Sequence, residues 1–417
     1  MRNWAGNHAY AARAFREPAS IDELAAIVRS TPRVRVLGSR HSFNDVADTD
    51  GDLVSLARLP RRLEVDPESA TVVVDGGARY GEVCPELDRA GWALPALASL
   101  PHISVAGACA TASHGSGDER RNLASVVSAV ELLTGSGELV TASRAADGEA
   151  FDGMIASLGA LGVVTALTLD LEPSYRMRQD VWLDLPLAAF ADHFADITSS
   201  AESVSFFSRW RGPIDQVWMK RRVDGEPFAP EPELYGARLA SIPVHPIASL
   251  SAEACTPQLG APGPWYERLP HFRLDHVPSS GDELQSEYFV PRDRLVDAVL
   301  ALDRLRDRFA PLVQVSEIRT IAADGQWLSM AFGRPSAAIH FTWLPNVAAV
   351  REALPVVEAA LAPFEPRPHW GKLFVMDPAE VAARYPMLPA FADLARRLDP
   401  AGRFTNDFVE RYVLGPG

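Results

Sequence analysis

The hydrophobic pattern alternates between helix and strand periods from the start of the chain. Ser20 stands three residues ahead of Glu23, and Ile21, Leu24, Ala25 and Val28 recur at helical spacing. This predicts a capped amphipathic helix that ends near Thr31 and Pro32. The alternation Val34, Arg35, Val36, Leu37 then predicts a strand, which runs into a loop of small and polar residues at 38–44. A second strand is expected at 71–74, turned by Asp75, Gly76 and Gly77, with a helix over 80–90 that tolerates Pro85 near its start. Segments 126–133 and 139–141, joined through Gly135, Ser136 and Gly137, form a predicted β-hairpin, and a further strand runs to Leu171. Glu172 and Pro173 close a first lobe.

Beyond that point the texture changes. Bulky β-rich stretches appear at 204–210, 217–220 and 287–290, with Pro- and Gly-rich connections over 227–270. One long helix is expected over 292–309, followed by strands at 312–321 and 337–344. There is no internal repeat and no low-complexity segment.

The composition fits a folded protein of 417 residues, with 47% hydrophobic and 23% charged positions. Its net charge of −14 works against capture of nucleic acid or anionic lipid, and no nucleic-acid partner is expected. Cys84, Cys109 and Cys255 are odd in number and widely spaced, which suits neither a disulfide framework nor a zinc site, so no metal is expected. Cys109 reads as a small packing residue. No apolar leader or membrane-length run is visible, and a cytoplasmic protein without membrane association is expected.

Several familiar chemistries lack their motifs. No G-x-G-x-x-G opens a helix, and there is no Walker A sequence, no G-x-S-x-G and no H-E-x-x-H. What remains is a set of polar residues that strand periodicity gathers. A period of two puts Glu317 and Arg319 on one face of the 312–321 strand, and His340 and Thr342 on one face of the next. Each pair could be an ordinary surface feature. However, Val313, Val315 and Ile321 share the Glu317 face, which suggests a pocket lining whose charges need each other. Lys372 follows Pro368, His369 and Trp370, and by spacing alone it is either a solvated lysine or a functional cation. His41 is either a loop histidine capping backbone or a residue projecting from a Gly-Ser loop toward a bound group. The run at 104–117, in which nearly every side chain is small, lets the backbone approach either a neighbouring element or a cofactor.

Three segments carry a family resemblance: Val36-Leu37-Gly38-Ser39-Arg40-His41-Ser42-Phe43-Asn44, Ala98-Ser99-Leu100-Pro101-His102-Ile103-Ser104-Val105-Ala106-Gly107, and Arg367-Pro368-His369-Trp370-Gly371-Lys372. Together they resemble the vanillyl-alcohol-oxidase type of flavoprotein, within it the branch that oxidises alditols, and the likeness runs from Asn3 to Asn406. It implies an α+β fold: an FAD-binding domain of two subdomains (1–173), a substrate or cap domain whose large antiparallel sheet, flanked by helices, roofs the flavin (174–375), and a C-terminal segment returning to the first domain (376–417). It implies FAD attached covalently at His41. Leu37, Gly38, Ser39, Arg40, Ser42, Ser99, Ser104, Gly107, Thr111, Ala112, Ser113, His114, Val164 and His369 would complete the cofactor site.

Relatives with a second, cysteinyl link carry cysteine where this chain has His102, so a single link is expected. Arg40 stands where relatives often have glycine. The resemblance assigns Ser99, Glu317, Arg319, Thr342 and Lys372 to the polyol site and places His340 and His369 beside flavin or substrate. Lys372, Arg319, Glu317 and His340 are the catalytic candidates, with His340 a candidate proton acceptor, and Ala98 a candidate for governing oxygen access. The implied reaction converts the terminal alcohol of an alditol such as xylitol or sorbitol to the aldose, with O2 reduced to H2O2, by a monomeric enzyme. A related aldonolactone oxidase or dehydrogenase is the alternative, and a sugar-binding protein without turnover is a third reading.

Overall fold

The computed structural model describes residues 1–223, 228–276 and 283–415. Pro227, where the proline-rich connections begin, lies outside them. The first helix, Ile21–Ser30, starts as predicted: Ser20 Oγ accepts the Glu23 amide at 3.1 Å, and Glu23 Oε2 accepts the Ala19 amide at 2.8 Å. It packs Leu24 and Val28 against Val34, Val54 and Phe404. The strand Val34–Val36 joins Asp52–Val54 and Ala14–Arg16 in a small parallel sheet. A separate five-stranded antiparallel sheet contains Leu63–Asp66, Thr71–Asp75, Val163–Asp170, Val127–Leu133 and Leu139–Ser143 in that spatial order. The predicted hairpin is its edge, turned at Gly137, whose positive φ of 79° suits glycine.

The second half is built on a ten-stranded sheet. Its centre runs Arg176–Leu185, Ile214–Arg222, Ser203–Ser208, Val313–Ile321, Ser336–Trp343 and Leu284–Pro291, all antiparallel. The period of two divides its residues sharply. Phe206, Ile318, Ile339, Phe341 and Tyr288 face the helices Leu187–Ser199, Leu295–Asp303 and Val347–Leu361 and form the largest apolar core. Their sequence neighbours Phe207, Glu317, His340 and Glu287 point the other way, into a cleft shared with the first half.

The C-terminal chain returns to the first half. Asn406 Nδ2 donates to the carbonyls of Asp45, Val46 and Asp48, and Arg403 Nη1 to that of Thr31. No helix among the described residues is long and apolar enough to cross a membrane.

Two expectations need correction. The continuous helix over 292–309 is broken: only Leu295–Asp303 is α-helical, flanked by single 3-10 turns at Arg292–Arg294 and Arg306–Arg308. The tighter turns begin where the Leu305 amide bonds Leu302 O, and they let Leu302 and Phe309 both remain in the core. On the 313–321 strand, a register shift between Val313 and Val315 leaves only Val315 on the cleft, while Val313 and Ile321 pack in the core.

Candidate active site

The cleft encloses about 340 Å³. Its roof is ordered by strand register. Phe207 lies opposite Glu317, Glu317 opposite His340, and His340 opposite Glu287, so four side chains from four strands form one row. A second row brings Val315, Thr342 and Gln285 side by side. Arg319, two residues from Glu317, lies on the same face. The polar pairs expected on two separate strands thus share one surface, and a third strand adds Glu287.

The charges in this roof are paired, and Glu287, Glu317 and Arg319 are buried while Lys372 is partly so. Lys372 Nζ donates to Glu287 Oε2 at 2.7 Å, and Arg319 Nη2 to Glu287 Oε1 at 3.1 Å. Arg319 Nε stands 3.5 Å from Glu317 Oε1, and Arg319 Nη1 reaches Ser99 Oγ at 3.3 Å. Glu317 Oε1 also meets His271 Nε2 at 2.6 Å. Burial would raise both acids, but it is outweighed. Lys372, His114 and Arg319 hold Glu287 well below the ordinary carboxylate range, and Arg319 and His271 do the same for Glu317. Two carboxylates therefore balance Arg319 and Lys372. The histidines remain neutral: burial lowers His340 to about 3, with Lys372 adding to the effect, and pushes His369 and His114 down as well. His340 Nε2 is buried without a hydrogen-bond partner, while its Nδ1 lies 4.0 Å from Glu317 Oε2.

The opposite wall comes from the first half. Leu37, Gly38, Ser39, Arg40, His41 and Ser42 line it, followed by Ala98, Ser99, Ser104, Gly107, Thr111, Ser113, His114 and Val164, with His369 at the junction. His41 Nδ1 donates to Ser39 O at 2.9 Å, its ring stacks on Trp4 with centroids 5.0 Å apart, and burial lowers it to about 4. Arg40 takes a positive φ of 64°, a conformation that costs an L-residue what glycine would escape, and Trp4 N bonds its carbonyl. Ala112 is the exception among the proposed cofactor residues. It too has positive φ, but this turns its methyl into the core and off the cleft surface. His102 Nε2 bonds Leu274 O, on the substrate-sheet half.

This wall fits a flat, extended cofactor because its backbone is bare. A Cβ added at Gly38 or Gly107 would stand 2.5 or 2.6 Å from Ser104 Oγ, and one at Gly76 would stand 2.1 Å from Val164 O. A side chain is excluded at these three positions; His114 Nε2 on this wall stands 3.3 Å from Glu287 Oε1, and in the roof His340 Nε2 is buried without a hydrogen-bond partner.

Glu287, His271, Lys220 and Gln285 are the residues that sequence reasoning missed. Glu287 and Gln285 could have been found by extending the period-two argument to the 284–291 strand. His271, in a Pro-rich connection, gives no local signal.

Fold and cleft define an FAD-dependent oxidoreductase of the vanillyl-alcohol-oxidase type. A family model described as an FAD binding domain matches residues 12–143, and one described as D-arabinono-1,4-lactone oxidase matches residues 282–412. The chain is 48% identical over 420 residues to the alditol oxidase of a Streptomyces species, covering 100% of this chain and 99% of that one. It is 29% identical to an L-gulono-1,4-lactone dehydrogenase of Mycobacterium tuberculosis, covering 99% of each. The crystal structure of cholesterol oxidase from B. sterolicum superposes with a TM-score of 0.79 over 99% of this chain and 96% of that one, at 13% identity, a likeness of fold. The chain belongs to the alditol oxidase family of FAD flavoproteins.

Proposed function

We propose that this enzyme oxidises the terminal primary alcohol of an alditol such as xylitol or sorbitol to the aldose, with O2 reduced to H2O2. The observation that carries the reading is the largely buried roof of Glu317, Arg319, Thr342 and Lys372, charge-balanced by Glu287, above a wall that fits FAD. A polyol presents only hydroxyls, so its site must offer matched donors and acceptors, and an unmatched buried one costs about 1–3 kcal/mol. Glu317 accepts, Arg319 and Lys372 donate, and Ser99 and Thr342 do either.

Bound FAD supplies the two-electron acceptor. The chain's residues do the rest. Lys372 and Arg319, held by Glu287, are aimed where negative charge develops on the substrate oxygen as its proton leaves. His340, neutral and with Nε2 unpartnered, is the candidate acceptor of that proton. His41 is the proposed covalent anchor: neutral at physiological pH, its imidazole keeps a lone pair for bond formation. Ala98, beside Ser99 on the cleft wall, leaves room for oxygen. This reading divides the chain into an FAD-binding domain (1–173), a substrate domain (174–375) and a returning segment (376–417), working as a monomer. Its three buried free thiols are in keeping with the cytoplasm.

The test is peroxide formation by purified enzyme with xylitol or sorbitol in air. Absence of peroxide across a panel of alditols overturns the reading. The match of residues 282–412 to a lactone oxidase model favours one alternative, an aldonolactone oxidase or dehydrogenase, which turnover of gulono- or galactonolactone far above that of open-chain polyols would select.

A further inference from the structure

Behind the polyol roof lies a buried trio in which only Glu317 has been given a role. Lys220, 1% exposed on the Ile214–Arg222 strand, sends Nζ toward three acceptors: Leu269 O at 2.6 Å, Pro270 O at 3.0 Å and His271 Nδ1 at 3.1 Å. An ammonium has three N–H bonds and no lone pair. With two protons on carbonyls, the third goes to Nδ1, which must then accept. A neutral imidazole carries one N–H, which is therefore on Nε2, where Glu317 Oε1 accepts at 2.6 Å. The carboxylate end demands the same tautomer, because ionised Glu317 has no proton to give.

The ring has no freedom to do otherwise. Phe207 and Trp218 pack edge-on against it, with centroids at 5.5 and 5.3 Å. The His271 amide donates to Ser99 O, and the His271 carbonyl accepts from the Thr256 amide. Burial, with Lys220 adding to it, lowers His271 to about 4, so it is neutral in use. Burial also draws Lys220 down to about 7 against the pull of Glu317. If the third proton were lost, two lone pairs would face each other across the 3.1 Å contact.

We infer that Lys220 and His271 are positioning residues for polyol binding: Lys220 fixes the Nε2–H tautomer of His271, which holds one oxygen of Glu317 and leaves the other for a substrate hydroxyl. The inference rests on the alditol reading of the cleft. Glu317 Oε2 is the oxygen left over, with the neutral His340 Nδ1 4.0 Å away. The same segment bonds the Ser99 carbonyl, so one loop orients two of the proposed substrate contacts.

Two measurements test it. In holoenzyme labelled with 15N-histidine, His271, assigned by the signals lost in His271→Gln, should show a neutral Nε2–H imidazole near pH 7, and an Nδ1–H tautomer or an imidazolium overturns the inference. In steady-state kinetics, His271→Gln, whose amide offers an acceptor and a donor in the same order, should keep the polyol KM within about 3-fold. His271→Leu should raise it by at least about 10-fold while kcat at saturation changes by less than about 3-fold, the signature of lost uniform binding. Lys220→Met should raise KM in the same way and add nothing in the His271→Leu background, because both act through Glu317. An unchanged KM in Lys220→Met and His271→Leu sinks the inference. If His271→Leu does not fold, Lys220→Met and the tautomer decide. Wild-type enzyme inert toward every alditol would sink the functional reading instead, and the tautomer would then stand or fall separately.

Discussion

Lys372 and Glu287 stand 85 positions apart in the chain and meet in the cleft roof at 2.7 Å with the carboxylate fully buried. The acid also holds Arg319 at 3.1 Å, so one carboxylate fixes both cations proposed to face the substrate oxygen. Replacing it by the isosteric amide leaves the two cations crowded and free to move. We expect Glu287→Gln to lower kcat/KM for an alditol by about 100-fold or more, the scale of losing a preorganised charge at about 2.7–4 kcal/mol. Glu287→Leu should also destabilise the fold by about 3–5 kcal/mol, because a buried pair is broken from one side. Steady-state kinetics and thermal unfolding check both, and near-wild-type kinetics for the amide would contradict the role.

The cofactor anchor has a direct chemical readout. Acid-precipitated wild-type protein should remain yellow, whereas His41→Ala should release its flavin to the supernatant while still binding FAD through the bare-backbone wall around Gly38 and Gly107. Free FAD in the wild-type supernatant would refute attachment.

Buried neutral histidines make a signed prediction about acid. An unfolded imidazole takes its proton near 6.5, while the folded protein resists until about 4 at His271 and about 3 at His340. Both folded values are depressed, so below 6.5 the unfolded chain binds more protons. Stability is then lost as pH falls, by roughly 1.4 kcal/mol per pH unit for each such histidine. Tm should drop steeply between about pH 6.5 and 4.5, and His271→Gln should shallow the slope. A flat Tm across that window would count against neutral burial.

How much of this was legible beforehand follows from the range of each interaction. Ser20 with Glu23 announced a helix because both ends of the cap lie within one turn. Glu317 with Arg319, and His340 with Thr342, announced a polar face because strand period acts over two residues. The row that joins them to Glu287 depends on register between strands distant in sequence, and a single sequence carries no signal for it. His271 is less visible still: its partners Lys220 and Glu317 lie 51 and 46 positions away, and it sits in a connection without periodicity. The apolar spacing over 292–309 continues to Phe309 and so reads as one helix, although tertiary packing there favours tighter turns.

Asp324 gives the opposite pH sign from the histidines. It lies in the loop after the Val313–Ile321 strand and meets the first half of the chain. Its Oδ2 accepts from Asn122 Nδ2 at 2.7 Å and Ser329 Oγ at 2.6 Å, while Oδ1 is buried without a partner. Burial raises it from 3.8 to about 6, against the pull of those two donors. The stability this contributes is full below pH 3.8 and is lost as pH rises through 6, so at pH 8 the ionised carboxylate costs about 3 kcal/mol relative to the protonated acid. Asp324→Asn keeps an oxygen for Asn122 and Ser329 and removes the charge. It should therefore gain stability on wild type at pH 8 and show little or no gain at pH 4. The check is the difference in Tm between variant and wild type at the two pH values. An equal change at both would mean that Asp324 acts through hydrogen-bond geometry and not through a buried charge.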